Sequence, residues 1–248
     1  MPDRHDNARA EGGLPNVERD KDPMAAPTFA ALFLAHVLAD YLLQTAWLVE
    51  NKRLPAALGI HIAIVLVTMI VVTGTFSIWF AGLALAHLAI DLTKTFVLRS
   101  GLMGYVSDQL LHVASVIWVA WLAPDIWGLS PFSGAHGLPL VYLVFACVLF
   151  AARGGQYAVA ALFATDAGQS ETGVRIGWAE RVALCACVAV GLPGLIAGVL
   201  LAKLAYAIAS WRVRTPAARA RLVQGTAVSL AWAAASALPL WYLLPYLA

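Results

Sequence analysis

Charge is scarce in this chain: only 12% of its 248 residues are Asp, Glu, Lys or Arg, and the net charge is +2. No run of Lys or Arg forms a stripe that could follow a phosphate backbone, which excludes nucleic acid as a partner. Cysteine is nearly absent. Cys147, Cys185 and Cys187 lie in apolar segments without a CxxC spacing, so neither a disulfide framework nor a thiolate zinc site is indicated, and they read as small buried hydrophobes. There is no serine-nucleophile motif, which argues against a serine hydrolase. What the chain has in excess is apolar surface: 61% hydrophobic residues and a mean hydropathy of +0.78 lie well outside the range of a soluble domain. The fold class that follows is all-α, a polytopic transmembrane helical bundle.

Residues 1–27 differ from the rest, being polar, mixed in charge and punctuated by Pro and Gly, and they read as a disordered tail. Beyond them, 28–49, 55–74, 76–98, 106–123, 138–153 and 223–245 approach the roughly 20 apolar residues that a membrane crossing needs. The stretch 177–210 is too long for one crossing and carries "GLPG" at its middle, so it divides into a helical hairpin. About eight membrane segments result, arranged as a four-helix core over 28–123 and C-terminal helices over 124–248. Lys52, Arg53, Lys94, Arg99, Arg153, Arg175, Arg212, Arg214, Arg219 and Arg221 then fall on one side, with the long loop 154–176 among them. The positive-inside rule makes that side cytoplasmic and puts both termini outside.

Three His/Asp pairs interrupt the greasy segments: "HVLAD" (His36, Asp40), "HLAID" (His87, Asp91) and "DQLLH" (Asp108, His112), with His61 on the helix between the first two. Residues four apart share one helix face. Each pair can therefore offer an imidazole and a carboxylate to one ion, and a carboxylate within the bilayer costs about 2.5–3.5 kcal/mol unless something compensates it. At about 1.5 Å of rise per residue, all four helices deliver these groups to one level in the cytoplasmic leaflet. Gln44 continues the first stripe by one turn and is expected to orient a ligand or a headgroup.

The stretches "HVLADYLLQTAWLVENK", "HLAIDLTK" and "DQLLH" resemble the signature of a bacterial membrane family, domain of unknown function 3307, over residues 28 to about 115. The segment 177–206 is similar to its second, weaker block. Members often carry a further His at the position of Ala57. The resemblance implies a bacterial inner-membrane protein and no particular activity, so function must come from the site.

Imidazole with carboxylate and no thiolate suits zinc first, with iron or manganese next. The first expectation is a metal-dependent hydrolase acting on a lipid or lipid-linked phosphate or ester at the cytoplasmic leaflet. His36, His61, His87, Asp91 and His112 would hold the metal, Asp40 or Asp108 would act as acid/base, and Lys52 and Lys94 with Gln44 would bind the substrate. The alternative is a divalent-cation or proton-coupled transporter using the same residues, since the paired His-x-x-x-Asp spacing is similar to the transport site of cation-diffusion-facilitator zinc exporters. If the pairs face different neighbours they are interhelical hydrogen-bond glue. Glu180 and Arg181 read as a local pair at a helix start, Lys203 as a snorkelling or acid-paired side chain, and His5 and His136 as solvated.

Overall fold

The first helix is apolar on every side and rich in alanine, which suits it to the middle of a bundle. In the computed structural model, which describes residues 25–98, 100–163 and 171–247, α1 (Ala25–Leu38) occupies that position. Ala30, Ala31, Leu32, Val37 and Ala39 are wholly buried. Around α1 stand α3 (Pro55–Thr73), α5 (Leu102–Leu122) and α6 (Leu138–Leu149), with α4 (Ile78–Phe96) closing the ring between α3 and α5. The tail over residues 1–24 lies outside the described residues.

Two π-turns shape the bundle. The first, Ala39–Leu43, ends α1 one turn below His36, and Gln44 follows it in extended backbone (φ −75°, ψ 102°). The chain then makes the short α2 (Ala46–Glu50), capped by Thr45. Gln44 therefore does not continue the His36/Asp40 stripe, because the helix that would carry it has ended. The second, Phe150–Gly154, joins α6 to α7 (Gly155–Leu162) as one membrane span of 25 residues, Leu138–Leu162. The expected loop 154–176 is thus helical at both ends, since α8 (Glu171–Ala189) starts six residues before the expected 177. A π-turn inside a helix leaves no gap in the apolar pattern, while "RGG" reads as a break.

The expected hairpin is present. Gly191 (φ +67°) turns the chain between α8 and α9 (Pro193–Trp211), and α10 (Pro216–Leu247) packs on α6, α7 and α8. Among the described residues six helices, counting each α-helix with its π-turn, are long and apolar enough to cross a membrane, which makes this a multi-pass membrane protein. The two expected segments outside that set, α4 and α8, carry His87, Asp91 and Lys94, and Glu180 and Arg181 respectively. At the far end Thr28 donates to the Pro124 carbonyl at 2.6 Å and accepts from the Trp127 amide at 3.0 Å, pinning the loop after α5 onto α1.

Candidate metal centre

Asp40 stands in the first π-turn, His61 on the second turn of α3, His87 and Asp91 on one face of α4, and Asp108 and His112 on one face of α5. At about 1.5 Å per residue, His61 and Asp108 each sit about 9 Å in from their helix starts. The same end of the bundle carries the basic loops. All seven His and Asp side chains converge; none faces a separate neighbour. Three overlapping groups, His36–Asp40–His87, His61–His87–Asp91 and Asp91–Asp108–His112, each bring one donor atom per residue within 4.8 Å of the others.

At the centre of this cluster four atoms face one another. His61 Nε2 is 3.0 Å from His87 Nε2, 3.5 Å from Asp40 Oδ1 and 3.4 Å from Asp91 Oδ2. His87 Nε2 is 3.4 Å from Asp40 Oδ1 and 3.8 Å from Asp91 Oδ2. A tetrahedral ion with ligands at about 2.0–2.1 Å has edges of about 3.3–3.4 Å. These five separations, 3.0–3.8 Å, bracket such edges, so the two imidazole nitrogens together with an oxygen of either carboxylate are spaced to reach one ion.

Unsatisfied polar atoms collect at the same place. Of the ten buried side-chain N and O atoms that lack a hydrogen-bond partner among the described residues, seven belong to His36, Asp40, His61, Asp91, Asp108 and His112. Two of them, Asp40 Oδ1 and Asp91 Oδ2, are the carboxylate corners just described. Buried polar atoms are normally paired, and a cation between them would pair these.

The lysines expected to hold a headgroup are already engaged. Lys52 Nζ donates to Asp91 Oδ1 at 2.7 Å and Lys94 Nζ to Asp108 Oδ2 at 2.5 Å. Each carboxylate thus gives one oxygen to a lysine and turns the other inward. His36 and His112 stack at 5.2 Å between ring centroids, and His112 lies 4.1 Å from the His87 ring. His112 Nδ1 bonds the Asp108 carbonyl at 2.9 Å, which leaves its Nε2 bare. The cavity that His36, His87 and His112 border holds only about 10 Å³, room for a single water.

Polar residues behind the site were not singled out in the sequence. Gln109 Nε2 donates to Asp108 Oδ2 at 3.0 Å and its Oε1 accepts from Tyr41 at 2.7 Å. Tyr41 and Tyr105 meet at 2.7 Å, and Tyr105 reaches the Gly154 carbonyl in the second π-turn at 3.0 Å. The signal available was the adjacency of Gln109 to Asp108 and of Tyr41 to Asp40. Gln44 is half-buried with its Nε2 unpartnered. The expected Glu180–Arg181 pair is absent: Glu180 bonds Lys203 across the hairpin, and Arg181 turns inward. His136 is exposed, as expected.

Residues 28–128 match the family described as Protein of unknown function (DUF3307). The match takes in every His and Asp of the cluster together with Lys52 and Lys94. No curated protein and no solved structure matches the chain.

Proposed function

We propose that this protein binds a divalent transition-metal ion, zinc by donor type, at Asp40, His61, His87 and Asp91, and carries it across the bacterial inner membrane in exchange for protons. The observation that carries the reading is that the His61 and His87 Nε2 atoms lie 3.0 Å apart and each lies 3.4–3.8 Å from an oxygen of Asp40 and of Asp91, separations close to tetrahedral edges. Two nitrogens and two carboxylate oxygens suit zinc, and the absence of thiolate from the set disfavours softer ions.

Charge balance supports exchange. Asp40, Asp91 and Asp108 bring three negative charges, of which Lys52 and Lys94 cancel two; in the proposed ion-free state one proton taken up by the cluster cancels the third. A divalent ion with Lys94 cancels them equally, provided Lys52 leaves Asp91 and the proton departs. Both states are neutral, whereas states between them leave a buried charge uncompensated, at a cost of several kcal/mol. Lys52 follows the short α2, is 16% exposed at its side chain and can swing toward water.

The hydrolase reading uses the same residues differently. A catalytic zinc keeps one position open for water, while here four protein atoms claim the corners. The cavity of about 10 Å³ beside the imidazoles has no room for an ester or a phosphate. This favours carriage over chemistry.

The test is purified full-length protein in liposomes that enclose a zinc-sensitive dye. Zinc entry driven by an opposing proton gradient, and abolished by Asp40→Ala or Asp91→Asn, is the expected result. Tightly bound stoichiometric zinc with no flux would instead support a static or hydrolytic site.

A further inference from the structure

Arg181 is 3% exposed, yet no carboxylate lies within 4.0 Å of its guanidinium among the described residues. Its Nε donates to the Ala151 carbonyl at 2.7 Å, Nη2 to the Ala152 carbonyl at 3.0 Å and Nη1 to Ser229 Oγ at 2.9 Å. The two carbonyls belong to the second π-turn. These acceptors satisfy hydrogen bonds but return no negative charge, and the neighbouring Glu180 is committed to Lys203. The chain also gives up side chains to seat this group: a Cβ on Gly155 would stand 2.4 Å from Arg181 Nε, and one on Gly177 2.9 Å from Nη1. A charge buried with this much accommodation, its nearest acid out of contact and bonded to Lys203, leaves room for an anion.

Arg181 lines a cavity of about 490 Å³ between α7, α8, α9 and α10, bordered also by Lys203, Arg214 and Arg221. Arg214 donates through Nη2 to Tyr206 at 3.2 Å, and its buried Nε has no partner among the described residues. Its lining also includes the apolar Val159, Phe163 and Leu222, with Arg221 lying 4.7 Å over the Phe163 ring. The wall formed by α9 is a helix that buries none of its own residues and is long and apolar enough to cross a membrane, so α9 itself borders the bilayer.

We propose that this cavity binds an anionic phospholipid, its phosphate held by Arg181 and Arg214 and its acyl chains lying along α9 against Phe163 and Leu222. Guanidinium groups bind phosphate oxygens through paired N–H donors, and basic pockets between membrane helices on the cytoplasmic side are suited to lipid headgroups. Inorganic phosphate would supply the same charge but would make no use of the apolar residues of the lining or of the membrane-facing α9. The site is separate from the His/Asp cluster and stands whether or not that cluster carries an ion.

Native mass spectrometry of the full-length protein in neutral detergent tests this, with short-chain phosphatidylglycerol, phosphatidylcholine of equal chain length and inorganic phosphate titrated separately. One equivalent of phosphatidylglycerol should bind more tightly than phosphatidylcholine, and Arg214→Gln should weaken it by about fivefold or more, the worth of one basic residue near an anionic lipid. Arg214→Lys should restore part of the loss, and because Arg214 is only partly buried neither variant depends on repacking the interior. Equal binding of the two lipids, or indifference to Arg214→Gln, overturns the proposal. Displacement of phosphatidylglycerol by inorganic phosphate at similar concentration overturns it in favour of a free-phosphate site.

Discussion

Nε2 of His61 lies 3.0 Å from Nε2 of His87, across the interface between α3 and α4. Two imidazole nitrogens meet at that distance only with a proton or a metal ion between them. The separation is about 0.3 Å shorter than the edge of a zinc tetrahedron, so entry of the ion requires only a small opening of the pair. A metal ion bound by both nitrogens would displace the hydrogen that now lies between them. His61→Ala should abolish stoichiometric zinc, measured by elemental analysis of purified protein. His36→Ala, which removes a ring beside the four corners, should cost no more than the about 10–100-fold typical of residues behind the ligands.

Lys52 Nζ donates to Asp91 Oδ1 at 2.7 Å, beside the oxygen proposed to bind the ion. Lys52→Met should therefore raise zinc affinity, by about tenfold if releasing the partly buried pair costs about 1.4 kcal/mol. Competition with a chelating dye measures it. The same variant should slow exchange, because Asp91 then has no cation to return to. Unchanged affinity would mean that Lys52 does not compete with the ion.

Gly155→Ala places a methyl group 2.4 Å from Arg181 Nε, and that side chain is fixed by three hydrogen bonds and cannot retreat cheaply. Overpacking of this kind should lower stability by about 1–3 kcal/mol, read as a fall in thermal midpoint in detergent. Gly59→Ala on α3 is the control, since nothing lies within 4 Å of its Cβ position. It should be neutral or gain up to about 1 kcal/mol from helix propensity.

Gln44 stands beyond the π-turn, off the face that carries His36 and Asp40. Gln44→Ala should leave zinc affinity within about twofold, well short of the about 10–100-fold expected for a residue that orients a ligand.

The sequence carried the membrane bundle and the convergence of its His/Asp pairs, because both rest on periodicities of the α-helix that survive in the structure. Which donors meet at the centre was not legible. Helix periodicity groups His36 with Asp40, and that pair is kept, Nδ1 to Oδ2 at 3.9 Å, but nothing in the periodicity shows that the other oxygen of Asp40 faces His61 and His87 from two other helices. The pairing of Lys52 with Asp91 spans 39 residues and a helix break, so no local pattern announces it. Glu180 and Arg181 read as a local pair at a helix start because adjacency in sequence hides different directions on a helix. Its burial depends on Gly155, on a neighbouring span, and on the carbonyls of a π-turn that the sequence shows only as "RGG".

X-ray absorption at the zinc K-edge of the zinc-loaded, full-length protein tests the central claim most directly. Four-coordinate zinc with two imidazole nitrogens and two carboxylate oxygens at about 2.0–2.1 Å, and no sulfur, is the predicted shell. Its two imidazoles should fall to one in His61→Ala if any metal is retained. A shell of three imidazoles with a bound water, unaffected by His61→Ala, would contradict the assignment and return the site to the hydrolase reading.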